Sequence, residues 1–234
     1  MNLSKRLDAI AGYIPQGSTV ADIGTDHLQL PVYLVNSGRC RSVIASELNQ
    51  LPYRQAENLA VFHRLTEKIQ VRLGDGLKVL SPGEAEIVVI AGIGGDAILK
   101  MLSDSPETLK TIKRLILQPM TGAGRLRLWL VQNGWRIGDE TLVEEKGRLY
   151  CVIMAEPGRE RALDKFIIEI GPRLAEKNNL LVNRYLRKLY TGYQKLADKL
   201  SGAASPAAKE KALEIKEKLT RIKEVLAKNE RKLC

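Results

Sequence analysis

Cysteine is scarce in this 234-residue chain: Cys40, Cys151 and Cys234 stand far apart, odd in number and without metal-ligand spacing. They provide neither a disulfide framework nor a zinc site, and they point to a reducing compartment. Long apolar runs are missing as well. No stretch approaches the roughly 20 residues that a bilayer-spanning helix needs. The opening MNLSKRLDAIAGYIP is interrupted by Lys5, Arg6 and Asp8 and no cleavage site follows, so no secretory leader is expected. Internal repeats and low-complexity segments are absent too. The expectation is a cytoplasmic protein with no membrane partner and no metal.

What is present suffices for a packed core. Hydrophobic residues make up 44% and charged residues 27%, which excludes wholesale disorder. The length allows one domain with an extension, or two small domains. The net charge of +10 is unevenly spread. Residues 1–158 hold 18 basic and 17 acidic side chains, whereas 159–234 hold 19 and 10. A basic appendage beside a near-neutral domain suits a polyanionic partner, nucleic acid being the commonest soluble one. A solvated, Lys-rich helical surface accounts for the same count.

Along the first 158 residues, strand-like and helix-like segments alternate. Leu3, Leu7, Ile10 and Ile14 mark a short amphipathic helix stopped by Pro15. Strands are expected at 18–24, 41–47, 68–75, 85–92 and 112–119, with helices at 28–38, 50–65, 95–104 and 122–134. Short apolar strands alternating with helices predict a parallel sheet covered on both faces. Residues 135–158 read as two strands around Lys146-Gly147, too close for a crossover helix, hence an antiparallel hairpin at one edge. The fold class is therefore α/β, Rossmann-like, with a helical extension.

That extension, 159–234, reads as an antiparallel coiled-coil hairpin. Val182, Leu186, Leu189, Tyr193, Leu196 and Leu200 alternate steps of four and three, and Ala208, Ala212, Ile215, Leu219, Ile222 and Leu226 follow the same rule. Gly202 and Pro206 separate the two runs. Upstream, Phe166, Ile170 and Leu174 continue the first, with Gly171 and Pro172 bending or breaking it. Such a hairpin can close on itself or on a neighbour, so oligomeric state stays open, a monomer being slightly favoured.

Ligands of open parallel sheets bind outside the carboxyl ends of the strands. Those ends carry Asp22-Ile23-Gly24-Thr25-Asp26-His27, then Glu47, Asp75-Gly76, Ala91-Gly92-Ile93-Gly94-Gly95 and Gln118-Pro119. Gly92–Ala97 fits a dinucleotide fingerprint, but that motif wants an acid at the next strand end, where Gln118 stands. A nicotinamide-dependent oxidoreductase is disfavoured on that ground and by the basic tail. The first strand shows the reverse: one close-approach glycine, Gly24, followed 23 residues later by Glu47. Glu47 can accept both ribose hydroxyls, and Asp75 can accept from an adenine amino group. Asp22, Asp26, Glu47 and Asp75 together suit a cationic adenosine ligand without a pyrophosphate, namely S-adenosylmethionine.

ADIGTDHLQLP (21–31), ASELN (45–49), GDGL (74–77), AGIGG (91–95) and LQP (117–119) make the chain resemble the bacterial tRNA adenine-22 N1-methyltransferase family, TrmK. The likeness covers the whole chain, since that family also ends in a helical coiled-coil domain; Ile93 stands where methionine is expected. The resemblance implies an S-adenosylmethionine-dependent enzyme acting on tRNA, with Asp26 as its leading catalytic position. Asp26 would accept from the exocyclic amino group or the emerging cation; capping the following helix is the plain alternative. Asp22 and Gly24 would line the methionine moiety, and the cofactor set is completed by His27, Leu48, Gly76, Ala91 and Gly92, a helix cap or a satisfied structural histidine being the plain alternative for His27. Gly94, Gly95, Gln118 and Pro119 would meet the target base, though close helix–strand packing would also explain the glycines. Arg184, Arg187, Lys188, Lys195 and Lys199 would grip tRNA phosphates. A non-catalytic RNA-binding or assembly protein on the same core is the competing class.

Overall fold

A computed structural model describes residues 2–161, 164–177, 179–201 and 205–233. It divides into two compact units, 1–163 and 164–234. In the first, β1 (Ser18–Ile23), β2 (Cys40–Glu47), β3 (Ile69–Leu73), β4 (Ile87–Ile93) and β5 (Arg114–Pro119) run parallel. The antiparallel pair β6 (Trp135–Glu145) and β7 (Arg148–Pro157) completes a sheet of order β3-β2-β1-β4-β5-β7-β6.

The strand sequences explain this placement. Val88, Val89, Ile90, Leu115, Ile116 and Leu117 are all fully buried, as near-continuous apolar runs must be when helices cover both faces. β7 slots beside β5 and leaves β6 at the edge. The hairpin turns on Lys146 and Gly147, both with positive φ, which a two-residue type I′ loop requires.

Helices α1 (Lys5–Gly12), α2 (Gln29–Asn36), α3 (Gln50–Phe62), α4 (Gly95–Ser103), α5 (Pro106–Leu109) and α6 (Ala123–Gln132) connect or cover the strands. Ser4 caps α1 by accepting from the Leu7 amide at 3.3 Å. After β7 the chain stays with its sheet: Gly158 donates to the Gly134 carbonyl at 2.8 Å, and Glu160 accepts from the Ile137 amide at 3.0 Å.

The second unit holds α7 (Lys165–Ile170), α8 (Pro172–Glu176), α9 (Leu180–Leu200) and α10 (Pro206–Leu233). The upstream helix breaks at Gly171, where φ is +105, and again at Lys177, which is extended; Asn179 caps α9 by accepting from the Val182 amide at 2.9 Å. Asn183, early in α9, meets Asn229, late in α10, in a buried hydrogen bond of 2.9 Å, so the two helices run antiparallel. Val182, Leu186, Ile215 and Ile222 fill the seam, whereas Leu196 near its far end is 39% exposed. Pro206 opens α10; Gly202 and Cys234 lie outside the described residues. Among the described residues, no helix is long and apolar enough to cross a membrane, and no cluster of His, Cys, Asp or Glu is placed to hold a metal.

Candidate active site

The strand order reverses between β1 and β4, which opens a crevice at their carboxyl ends. There a cavity of about 510 Å³ is lined by Asp22, Gly24, Asp26, Ala91, Gly92 and Ile93 from these two strands and their loops. Its other walls come from Ser4, Arg6 and Leu7 of the α1 region, Gln29 and Leu30 of α2, Met120 after β5, and Glu145, Lys146 and Tyr150 of the hairpin.

Asp22, the penultimate residue of β1, is almost wholly buried. Burial pushes its carboxyl up to about 6, an effect opposed by Thr25 and by the Arg6 guanidinium and reinforced by the charge of Asp26. Gly24 follows at φ +74 in open space, so its lack of a side chain serves the left-handed backbone, whose amide donates to the Ser46 carbonyl at 2.9 Å. Gly92 also has positive φ, +81, and a Cβ there would lie 3.7 Å from Arg6 Nη1.

The loop between β1 and α2 departs from the expected helix start. His27 and Leu28 both adopt left-handed φ, +53 and +51, and α2 begins only at Gln29 with no side-chain cap. The Asp26 carboxylate therefore does not cap the helix. It is 81% exposed, 3.3 Å from His27 Nε2, at the cavity wall. Two consecutive left-handed non-glycine residues are costly, and the strained loop presents Asp26 and His27 outward.

Glu47 ends β2 half-buried. Burial, then the charges of Asp22 and Asp26, raise its carboxyl above the ordinary value, which places it electrostatically beside the cavity although it does not line it. Leu48 next to it is 61% exposed, an apolar side chain without cover. Asp75 is not brought into the same cavity. Its carboxylate pairs with Lys78 at 3.0 Å and lines a second cavity, of about 180 Å³, with Leu77, Lys100 and Met101. Gly76 packs against Met101: a Cβ would come within 2.8 Å of Met101 Cγ.

The remaining base-facing candidates are turned to packing. A Cβ on Gly95 would stand 2.5 Å from the Thr121 carbonyl, so this glycine lets α4 approach the β5–α6 loop. Gly94 precedes α4 in extended conformation, 3.5 Å from Thr121 Oγ1 by the same measure. Pro119 is buried, and Gln118 is 0% exposed, its Oε1 accepting from Arg6 Nη1 at 3.1 Å. Gly92–Ala97 thus commits a fingerprint glycine to helix packing and finds no acid at the end of β5, which removes the nicotinamide reading. Arg184, Arg187, Lys188, Lys195 and Lys199 are all exposed on α9.

Sequence reasoning missed Arg6, Met120 and Tyr150. Arg6 sits on an amphipathic helix whose apolar stripe reads as structure, and Tyr150 on a strand read only as a hairpin arm. No local pattern announces that either reaches the end of β1.

This crevice, with a buried acid and two left-handed glycines flanking the β1–β4 switch point, belongs to a Rossmann-like methyltransferase domain; a sequence-family model described as "Methyltransferase domain" matches residues 3–153. Over 233 residues, 97% of this chain and 98% of the relative, it is 37% identical to the tRNA (adenine(22)-N(1))-methyltransferase of Bacillus subtilis. The crystal structure of the B. subtilis m1A22 tRNA methyltransferase TrmK superposes with a TM-score of 0.89 at 34% identity, covering 96% of this chain and 99% of that one. M. capricolum TrmK, solved with the cofactor product S-adenosylhomocysteine, superposes with a TM-score of 0.82 at 28% identity, covering 96% and 98%. The chain belongs to the tRNA (adenine(22)-N1)-methyltransferase family, whose enzymes depend on S-adenosylmethionine.

Proposed function

We propose that the protein is a cytoplasmic enzyme that methylates N1 of adenine 22 in tRNA. The convergence of Asp22, Gly24, Asp26 and Gly92 on one cavity at the β1–β4 crossing carries this reading. The residues present fit S-adenosylmethionine: carboxylates for its cationic groups, glycines for close backbone approach, and no loop built to cradle phosphates. When bound, it supplies a methyl group on a sulfonium leaving group. Asp22 faces the positive end of this ligand from the buried floor of the cavity. Glu47 accepts from the ribose hydroxyls, and Leu48 gains cover from the adenosine. Asp75 can accept from the cofactor's adenine only by exchanging its Lys78 partner.

Asp26 holds the target. N1 of adenine has an in-plane lone pair, so no residue need remove a proton before attack. Asp26 instead accepts from the exocyclic amino group and stabilises the positive charge that grows on the ring. Its exposure at the cavity wall leaves it within reach of a base extruded from the RNA. Arg184, Arg187, Lys188, Lys195 and Lys199 contribute phosphate contacts, which give affinity without sequence choice.

The test is mass-spectrometric mapping of tRNA incubated with the protein and labelled S-adenosylmethionine. The expected product carries label on N1 of one adenine. Tight binding of S-adenosylmethionine with no label on any tRNA would leave the non-catalytic RNA-binding reading standing instead.

A further inference from the structure

Helix α3 buries only two of its residues, Ala56 and Ala60. The opposite side of a surface helix is ordinarily polar. Here Leu51, Val61 and Phe62 all stand exposed on it, and Phe62, at 78%, is the most exposed large apolar side chain among the described residues. Leu51, Arg54, Asn58 and Phe62 follow one another at three, four and four residues, so they share one stripe, turned away from the two alanines. The outer face of α3 is thus an apolar ridge with an arginine set into it.

The helix also ends against local preference. The Leu65 amide donates to the Ala60 carbonyl and the Arg64 amide to the Val61 carbonyl, both at 2.9 Å, which closes α3 in a Schellman motif with Arg64 in the left-handed position at φ +57. α2 closes in the same way, and there Gly38 holds that position at φ +68. Glycine adopts it without strain, whereas arginine does not. The exchange sets an exposed cation two residues from Phe62, whose ring meets that of His63 edge to face with 5.2 Å between centroids. Arg54 and Arg64 make no ion pair among the described residues, although Arg72, Lys100 and Arg125 of the same domain each hold a carboxylate. Glu57 of α3 is engaged by the Tyr53 hydroxyl, and Glu67 and Lys68, adjacent and exposed in the following loop, offset one another.

We propose that the outer face of α3 is an RNA-docking surface on the methyltransferase domain: an unpaired base of the bound tRNA stacks on Phe62 while Arg54 and Arg64 contact adjoining phosphates. This rests on the tRNA reading and adds to it a surface outside the basic helices. Every base offers a flat π face, so one exposed ring accepts any of them, and cations beside the ring hold the backbone. A guanidinium matches a phosphate with two parallel hydrogen bonds, which gives Arg64 a use that a glycine in its place lacks. A second copy of the chain is the other partner that an apolar ridge could take. Two such ridges face to face would bring the unpaired Arg54 and Arg64 of both copies together, and that charge favours a polyanion instead.

Filter binding of a tRNA transcript to the full chain tests the surface, with S-adenosylhomocysteine titration, melting temperature and sedimentation measured alongside. Phe62→Ala should weaken tRNA binding by about fivefold or more, the low end for one base–aromatic stack, while Phe62→Tyr, which keeps the ring, should stay within about twofold of wild type. Arg64→Gly should raise the melting temperature, because glycine relieves the left-handed position, and yet weaken tRNA binding and lower its log–log salt slope by about 0.7–0.9. A merely structural residue would move stability and affinity in the same direction. Binding of S-adenosylhomocysteine should not change in any of the three. Unchanged tRNA affinity in both Phe62→Ala and Arg64→Gly would overturn the proposal. So would a wild-type dimer that Phe62→Ala dissociates with tRNA binding intact, which would assign the ridge to a second copy. A wild type that binds no tRNA would sink the tRNA reading itself, whereas wild-type binding with indifferent variants removes only this surface.

Discussion

Arg127 of α6 and Glu140 of β6 meet at 2.6 Å with neither side chain exposed, and Arg127 Nη2 also reaches Cys151 Sγ of β7 at 3.2 Å. The pair ties the edge hairpin, which carries Glu145, Lys146 and Tyr150 to the cavity, to the helix behind it. Breaking such a pair leaves a charge buried without compensation. Arg127→Met should therefore cost about 3–5 kcal/mol, whereas Arg127→Met with Glu140→Leu should recover most of the loss. Urea denaturation of the single and double variants measures both. A single variant within about 1 kcal/mol of wild type would mean the pair is not what holds the hairpin.

Burying Asp22 carries a stability cost once its carboxyl is ionised. Its carboxyl sits at about 6 instead of 3.8, chiefly through burial. The folded protein thus holds this proton more tightly than the unfolded chain. The stabilisation that comes with the proton is complete below pH 4 and is lost as the pH rises through 6. At pH 8 the ionised group costs about 3 kcal/mol by the usual 1.36 kcal/mol per pH unit. Asp22→Asn should accordingly raise the melting temperature at pH 8, show little gain at pH 4, and bind S-adenosylmethionine far more weakly. Thermal unfolding at the two pH values checks it; a gain of the same size at both would assign the effect to something other than ionisation.

Wild-type affinity for S-adenosylmethionine should fall as the pH drops below about 6, where Asp22 takes up its proton and loses its hold on the ammonium. Arg6, which favours the ionised form, and Asp26, which opposes it, are the charged neighbours that set the midpoint. Titrations between pH 5 and pH 8 would show it. Flat affinity across that range would remove Asp22 from the ligand's charged end.

Asp26→Asn keeps the size of the side chain and removes its charge. Because Asp26 caps no helix, folding should be little affected. Cofactor affinity should stay within about tenfold while methyl transfer falls by about 10² or more, the scale of one positioned electrostatic group. Single-turnover assays with saturating tRNA isolate that step, and near-normal turnover would take the catalytic role away from Asp26.

Replacing Arg184, Arg187, Lys188, Lys195 and Lys199 with glutamine should weaken tRNA binding and flatten its dependence on salt, by up to roughly 0.7–0.9 in log–log slope for each phosphate no longer neutralised. S-adenosylmethionine binding should not change. An unaltered slope in filter-binding assays from 50 to 300 mM salt would mean that tRNA is held elsewhere.

Much of the architecture was open to a reader of the sequence alone. Strands buried on both faces must be apolar throughout, so β4 and β5 announce themselves, and a Lys-Gly pair between two strand-like arms leaves room for nothing but a tight turn. The heptad steps of α9 and α10 are legible for the same reason, since a seam has one period. Asp22, Gly24, Asp26 and Gly92 could be placed because carboxyl ends of parallel strands necessarily share one edge of the sheet. Local pattern carried no word, however, of which way a side chain at that edge would turn. Gln118 was expected to read a base and instead anchors Arg6. Asp75 was expected to share the cavity and instead pairs with Lys78. Gly95 gives way to Thr121, Leu196 leaves the seam it should fill, and the helix that a cap at Asp26 would start at His27 starts instead at Gln29.

The succession of strands and helices along the chain, the identity of the acids at the strand ends and the surplus of positive charge in the last third are properties of the chain read one residue after another. The partnership of Arg6 with Gln118, 112 residues apart, and the depth at which Asp22 is buried depend on how distant segments pack, and only the folded molecule decides them.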